Sequence, residues 1–506
     1  MKSSSFRHAG LAVAVFGAAA ALGPACGHAQ WSANPGDNLI VADEYADQTQ
    51  PKIVATPDGG YYVSWFDDIA HGFGIHLQRL DAQGNELWEH DGILVAERQL
   101  GFTYDYGLAI DADGNAYLGY NCCANNSDDE HIAVSKVTPD GTLEWGAAGI
   151  TVSAPASTER PYAAHLAMTS DGFVAVAWSV DPNFIRVQKL DVDGAAQWTQ
   201  GGVAVNPPNG LALLADIEPS DAGNVIVSWS NQAGPARTLR AQKLAAADGA
   251  GLWGTGGVRV FGQGGLQMGY FPEFIDAGDG GAVFYDYDVV GVRFFARVQR
   301  LDANGAPMLD PNGVLTTTDT VNDHVATAAA FDRASGDIYA IWIDTVQRDD
   351  MQVYDGVYAQ RVDASGQRQW GDTGKELVPM AIATDGTHSI SQLTAVSAPS
   401  LLGGPRGGFI GSWTTGAIPA PDQPITATRL DQSGNYVWDA QNVAIKNARP
   451  TGRTVAVKGA SGNAVIYAWQ DGADGATTIR VQNLRGDGTL GNPILDRIFA
   501  DGFDGG

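Results

Sequence analysis

Cys122 and Cys123 stand side by side in a stretch that continues through Asp128, Asp129, Glu130 and His131. Adjacent cysteines can close on each other in an oxidising compartment, and strained exposed disulfides tend to be the functional ones. The plainer reading is a local loop staple or two free thiols. The acidic run and the pair Asp349-Asp350 offer oxygen ligands to a cation such as calcium; as solvated acidic loops they would do no chemistry. Asp67, Asp344 and Asp471 each fall two residues beyond an aromatic, a place Asn231 holds elsewhere. Repetition at equivalent positions points first to a cap on a strand end, and second to a partial polar ring around a channel mouth. Asp111-Ala-Asp113-Gly-Asn115 alternates oxygen donors but lacks the later acidic ligand of a calcium loop, so turn chemistry is the preferred reading. His165 falls on an inner strand, where it either faces a channel or packs. No HExxH, GxSxG, phosphate-loop or dinucleotide glycine pattern occurs in the right context, so no catalytic residue is assigned.

The elements that must position these residues repeat along the chain. One pattern is an apolar strand that follows a glycine turn and ends in an aromatic: Trp65, Tyr120, Trp178, Trp229, Tyr285, Trp342, Trp413 and Trp469. The other is a strand, an Asp/Gly turn and a tryptophan, as in VQKLDVDGAAQW ending at Trp198. Its copies end at Trp88, Trp145, Trp253, Trp370 and Trp438, with Met308 taken as a substitute, and the copy after Leu484 has no aromatic. The missing piece lies at the other end of the chain, where Trp31 opens a half-unit that runs to Ala42.

Repeats of about 50 to 60 residues with four short strands each read as blades of an eight-bladed β-propeller. Four antiparallel strands per blade are expected, with the last blade closed by the N-terminal strand. A β-helix, the main rival, would not need a half-unit at the opposite end. The short Asp/Gly turns put one set of connections at one end of the ring. The long variable connections then share the other end, where binding residues usually sit.

With its vQrLD..G...W repeats the chain resembles secreted bacterial β-propellers that mostly lack an assigned activity. Its Asp-x-x-Gly-x-x-x-Trp units, Asp81 to Trp88 among them, are also similar to the tryptophan-docking motif of eight-bladed quinone-dependent dehydrogenases and their non-enzymatic relatives. They differ by one residue and lack that motif's threonine. Those dehydrogenases place an adjacent cysteine pair over the quinone, which is what the resemblance implies for Cys122-Cys123.

Thirty Lys and Arg against 57 Asp and Glu give a net charge of −27, which excludes nucleic acid as a partner. Residues 1–29 read as an export signal, with Lys2 and Arg7 ahead of an alanine-rich apolar run and a small-residue cleavage site. A lipid anchor at Cys26 is the alternative. The propeller is expected over 30–495 and a tail over 496–506, with no transmembrane segment. These features predict a secreted or periplasmic monomer: a non-catalytic module that presents its loop-rich end to a protein or glycan. Asp67, Cys122, Cys123, Asp128, Asp129, Glu130, His131, Asp344, Asp349, Asp350 and Asp471 are the candidate binding residues. A quinone-dependent oxidoreductase and a glycan-active enzyme are the alternatives. No cofactor is assigned, and calcium is the cation the acidic loops would take.

Overall fold

The computed structural model describes residues 30–69, 72–123, 130–154, 159–181, 184–383, 388–398, 407–416, 424–447, 452–461 and 464–492. The export signal, Cys26, Asp128, Asp129 and the tail 496–506 lie outside the described residues. The described chain forms eight four-stranded antiparallel sheets. Seven are consecutive in sequence, beginning with blade one (Gln48–Ala55, Tyr61–Ile69, Gly72–Leu80, Ile93–Ala96). Blade eight takes Gly452–Ser461, Ala464–Asp471 and Thr478–Arg485 from the far end of the chain, and its outer strand is Leu39–Ala42. Leu39 pairs with Val481 and Ile40 with Arg480, so the predicted ring closure is the one observed. Among the described residues no helix is long and apolar enough to cross a membrane.

The repeated motif is the machinery that joins blades. In the turn, an Asp carboxylate accepts backbone N–H groups two and four residues on, as Asp191 does from Asp193 and Ala195. Asp111 accepts from the backbone of Asp113 and Asn115, from the Asn115 amide and from the Tyr117 hydroxyl, the arrangement of a turn. A buried glutamine on the third strand then fixes the tryptophan segment. The Gln188 side chain donates to Thr199 O at 2.9 Å and accepts the Trp198 N–H at 3.1 Å. Gln242, Gln299 and Gln360 repeat the pair of bonds.

Each tryptophan docks on the next blade. Trp198 Nε1 donates to Ala246 O, Trp253 to Ala303 O, Trp370 to Gln432 O and Trp438 to Gly486 O, at 3.0 to 3.1 Å. Trp31 completes the circle, donating to Ala82 O of blade one at 3.0 Å, while Gln482 of blade eight donates to Ser32 O at 2.7 Å. The docking explains the turn glycines: a Cβ on Gly84, at φ +83°, would lie 2.8 Å from the Trp31 ring.

Blade five corrects the reading of Met308. Leu309, not Met308, occupies the tryptophan position, since its N–H meets Gln299 Oε1 at 3.3 Å and it packs with Val314 and Phe331. Met308 is exposed, and its N–H pairs with Arg300 O, as that of Gln197 pairs with Lys189 O.

Candidate functional site

One rung of the inner strands faces the channel. Its residues lie opposite the one that precedes each second-strand aromatic: Lys52 opposite Ser64, Gly107 opposite Gly119, His165 opposite Ala177 and Asp216 opposite Ser228. Phe274, Ala328, Thr394 and Ala456 occupy the same register in blades five to eight, Phe274 with its ring stacked on Phe284 in the core and not in the channel. In six blades the ladder slips just ahead of it. Gln50, Ala163, Ala326 and Gln392 take φ of 51° to 53° at these slips. Such bulges bend a strand and re-aim the side chains that follow. Gly107 leaves the rung bare, because Leu166 packs where its Cβ would be, 2.6 Å away. Asp105, two residues earlier, fills the gap.

A cavity of about 530 Å³ opens at this level. Charges alternate along the arc from blades one to four. Lys52 Nζ is 2.7 Å from Asp105, Asp105 is 3.1 Å from His165 Nε2, and His165 Nδ1 is 3.5 Å from Asp216. Glu218 and Glu273 continue the lining beside Tyr270, Phe271 and Tyr285, and the facing arc is small: Thr327, Ala328, Thr394 and Ala395. Burial opposes the His165 imidazolium, but its hydrogen bonds to Asp105 and Asp216 and their charges outweigh it, and its pKa is pushed up to about 9. Burial raises the Asp105 carboxyl, yet Lys52 and His165 hold it well below the usual carboxylate range. Burial and the Glu273 charge raise the Tyr285 hydroxyl. The four groups from Lys52 to Asp216 thus form a compensated string of two cations and two anions.

The string makes stability depend on pH. A folded-state pKa raised from 6.5 to about 9 stabilises fully below pH 6.5, and the contribution is lost as pH rises to about 9. The expected loss over that window is about 3 kcal/mol at most. His90 and His324 are also shifted upward, so the check is the difference in urea midpoint between wild type and His165→Gln at each pH. Equal slopes for the two proteins would remove His165 from the account.

Two interblade segments carry the mouth, and a buried arginine pins each. Arg98 is fully buried, donates to Asn121 O at 2.8 Å and to its Oδ1 at 2.9 Å, reaches Phe102 O, and lies over the Phe66 ring. It holds the turn that presents Phe102, Tyr104 and Asp105. Arg297 makes a two-pronged pair with buried Asp286 at 2.7 and 3.0 Å, contacts Asp288 at 3.1 Å and covers Phe261. It also donates to Gln263 O, and Asp288 accepts the Gly265 N–H. This triad anchors the segment that brings Tyr270, Phe271 and Glu273 to the cavity.

The residues nominated from sequence divide. Cys122 and Cys123 are bonded to each other, and their sulfurs and His131 gather within 4.8 Å. They sit over Glu97 O, between blades one and two, and are not among the residues that line the cavity. Asp67, Asp344 and Asp471 are buried, and so do not form a ring at the mouth. Asp67 and Asp344 accept from the indoles of Trp65 and Trp342, at 3.4 and 2.7 Å, and Asn231 accepts from Trp229. Asp471 pairs with Arg480 at 2.8 Å. Each of these contacts is to a side chain of the same blade. Glu130 pairs with Arg160 at the rim. Asp349 and Asp350 are exposed, and Asp350 caps its own turn by accepting from Gln352 N and the Tyr354 hydroxyl. Of the sequence candidates among the described residues, only His165 lines the cavity; Lys52, Asp105, Asp216, Glu218 and Glu273 carried no motif.

No family model matches the chain, and no curated protein does. Solved structures match at low identity. One is an ulvan lyase of a new polysaccharide lyase family, bound to -[GlcA(1-4)Rha3S]-, at 10% identity and a TM-score of 0.46, covering 92% of this chain and 99% of that one. An α-L-arabinanase of Penicillium chrysogenum complexed with arabinobiose matches at 12% identity and a TM-score of 0.38, covering 90% and 99%. Extracellular domains 1–2 of Drosophila semaphorin 1b match at 10% and 0.41, covering 88% and 87%. At such scores nothing about a ligand or a reaction passes from them to this chain.

Proposed function

We propose that this is an exported, non-catalytic binding module that takes a hydroxyl-rich ligand, a segment of a glycan, in the loop-rich mouth of its channel. The observation that carries the reading is the lining of the cavity of about 530 Å³. Its cations and half its carboxylates satisfy one another, while the aromatic edge of Tyr270, Phe271 and Tyr285 stands beside them. A pocket of this size with a few fixed polar groups and apolar walls suits a small ligand. Sugar hydroxyls bond to paired ionic groups without having to break them, and the C–H faces of sugar rings stack on aromatic faces. A compensated string also makes a poor acid–base pair, since His165 holds its proton at neutral pH.

Calorimetry with a panel of neutral and uronate oligosaccharides tests this. At least one should bind, and Phe271→Ala, which trims an exposed ring, should lower its affinity by up to about tenfold without moving the melting temperature. If no member binds, or Phe271→Ala leaves the affinity unchanged, the reading fails. The second reading, glycan cleavage, is favoured by the presence of Glu218 and Glu273 on the same wall, since carboxylate pairs cleave glycosidic bonds. New reducing ends in the same incubations would select it.

A further inference from the structure

We propose a binding site for a zinc-class divalent cation at the seam where the ring closes, formed by His90, Asp43 and Asp91 with Glu86 behind the histidine. Asp43 follows the closing strand Leu39–Ala42, and His90 and Asp91 precede the outer strand of blade one, Ile93–Ala96. Their ligand atoms all lie within 4.8 Å of one another. His90 Nε2 stands 3.2 Å from Asp43 Oδ1 and 3.8 Å from Asp91 Oδ1. Ligands about 2.0 to 2.1 Å from a tetrahedral ion stand about 3.3 Å apart, so little movement would admit one.

The other face of the imidazole gives the arrangement its direction. Glu86 holds His90 Nδ1 at 2.9 Å from one carboxylate oxygen and 3.1 Å from the other. With Glu86 taking the Nδ1–H, a metal would replace the proton that Nε2 donates to Asp43, and the lone pair so freed would face the ion between Asp43 and Asp91. A carboxylate behind a histidine whose remaining nitrogen faces the metal is the common second shell of protein metal sites. Glu86 itself is largely buried, whereas His90 and Asp43 are about half exposed, so an ion entering here keeps water on its open side. One imidazole with carboxylates selects zinc and its late first-row neighbours over calcium, which takes oxygen ligands.

Comparison of the repeats places these residues at the seam alone. Glu86 forms the short bridge to Leu80 that Leu143, Ala196, Gly251, Pro307, Arg368 and Tyr436 form in the following blades, none of them acidic. No other blade carries a histidine two residues after its tryptophan position. Three carboxylates around one imidazole also leave a local excess of negative charge that a divalent ion neutralises. A bound ion would tie the N-terminal strand of blade eight to blade one, adding a clamp where the ring depends on non-covalent closure.

The site is independent of the channel reading, and its test uses no glycan. Metal-stripped full-length protein is titrated with Zn²⁺ near neutral pH by calorimetry, and its melting temperature is followed. One equivalent should bind, with a melting temperature that rises with Zn²⁺ concentration. His90→Ala should abolish both effects, and Glu86→Gln should weaken binding about tenfold or more. His131→Ala, which disrupts the cysteine-bonded cluster on blade two, should change neither. No binding at millimolar Zn²⁺, or binding that survives His90→Ala, overturns the proposal. So does binding that is lost with His131→Ala.

Discussion

Removal of residues 30–42 should cost the protein most of its stability and turn it into an aggregating species. The segment supplies the outer strand of blade eight, and its loss leaves Thr478–Arg485 as an open edge. It also removes Trp31, which is 4% exposed, packs edge-on against Tyr61 and bonds to Ala82 O. Burial of a large aromatic side chain makes Trp31→Ala alone worth about 3 to 5 kcal/mol. Asn38, bonded to Ile445 O and Gln482, goes with the deletion and leaves both without that partner. Light scattering and urea melts check the outcome, with removal of 496–506 as the comparison. If the two truncations behave alike, the N-terminal strand is not what holds the ring shut.

Asp286→Ala is expected to have the next largest effect, a destabilisation of about 3 kcal/mol, because it strips a buried guanidinium of its two-pronged partner. Asp288 remains 3.1 Å from Arg297, which keeps the loss at the low end for a broken buried pair. The same change should loosen the segment that carries Tyr270 and Phe271, seen as faster amide exchange over 261–273 and weaker glycan binding. Replacing both partners, Asp286→Leu with Arg297→Met, should destabilise less than the single change, since the guanidinium is gone and the remaining Asp288 carboxylate keeps the Gly265 N–H as a partner. A double variant as unstable as the single one would show that packing, not the stranded charge, sets the cost.

The ring itself was legible in the residues. Eight aromatic-ended strands and a half-unit at Trp31 required a closed array, and Leu39–Ala42 lies where that count put it. Met308 was misread although the signal was available: four residues from glycine to tryptophan, as from Gly194 to Trp198, lead from Gly305 to Leu309. The glutamine that recurs on the third strand is visible in the repeats, but its work as a clamp on the tryptophan segment appears only with the bonds of Gln188 and its equivalents. The cavity was not legible. Lys52, His165 and Asp216 come from three blades and meet because their inner strands share a rung, and Asp105 joins them from the segment ahead of the inner strand of blade two. The bulges that re-aim three of them carry no glycine, so the turn chemistry that marks other special backbone positions gives no sign here. Asp67 and Asp344 were legible as a repeated position two residues beyond the blade tryptophan, but that the indole of that tryptophan is the partner appears only in the folded strand.

Because the closing strand is held by pairing to Thr478–Arg485, with Ala33 against Gly491, the two ends of the described chain lie side by side. The ring therefore has no structural beginning. Residue 492 could be joined to residue 30 by a short linker and the chain reopened at the turn before the outer strand of any other blade. The permuted protein would have the same eight sheets, with a different blade sewn shut from both ends. Which blade bears the seam is a property of the order in which the chain is written, whereas the channel rung, drawn from the inner strands, would be indifferent to the choice.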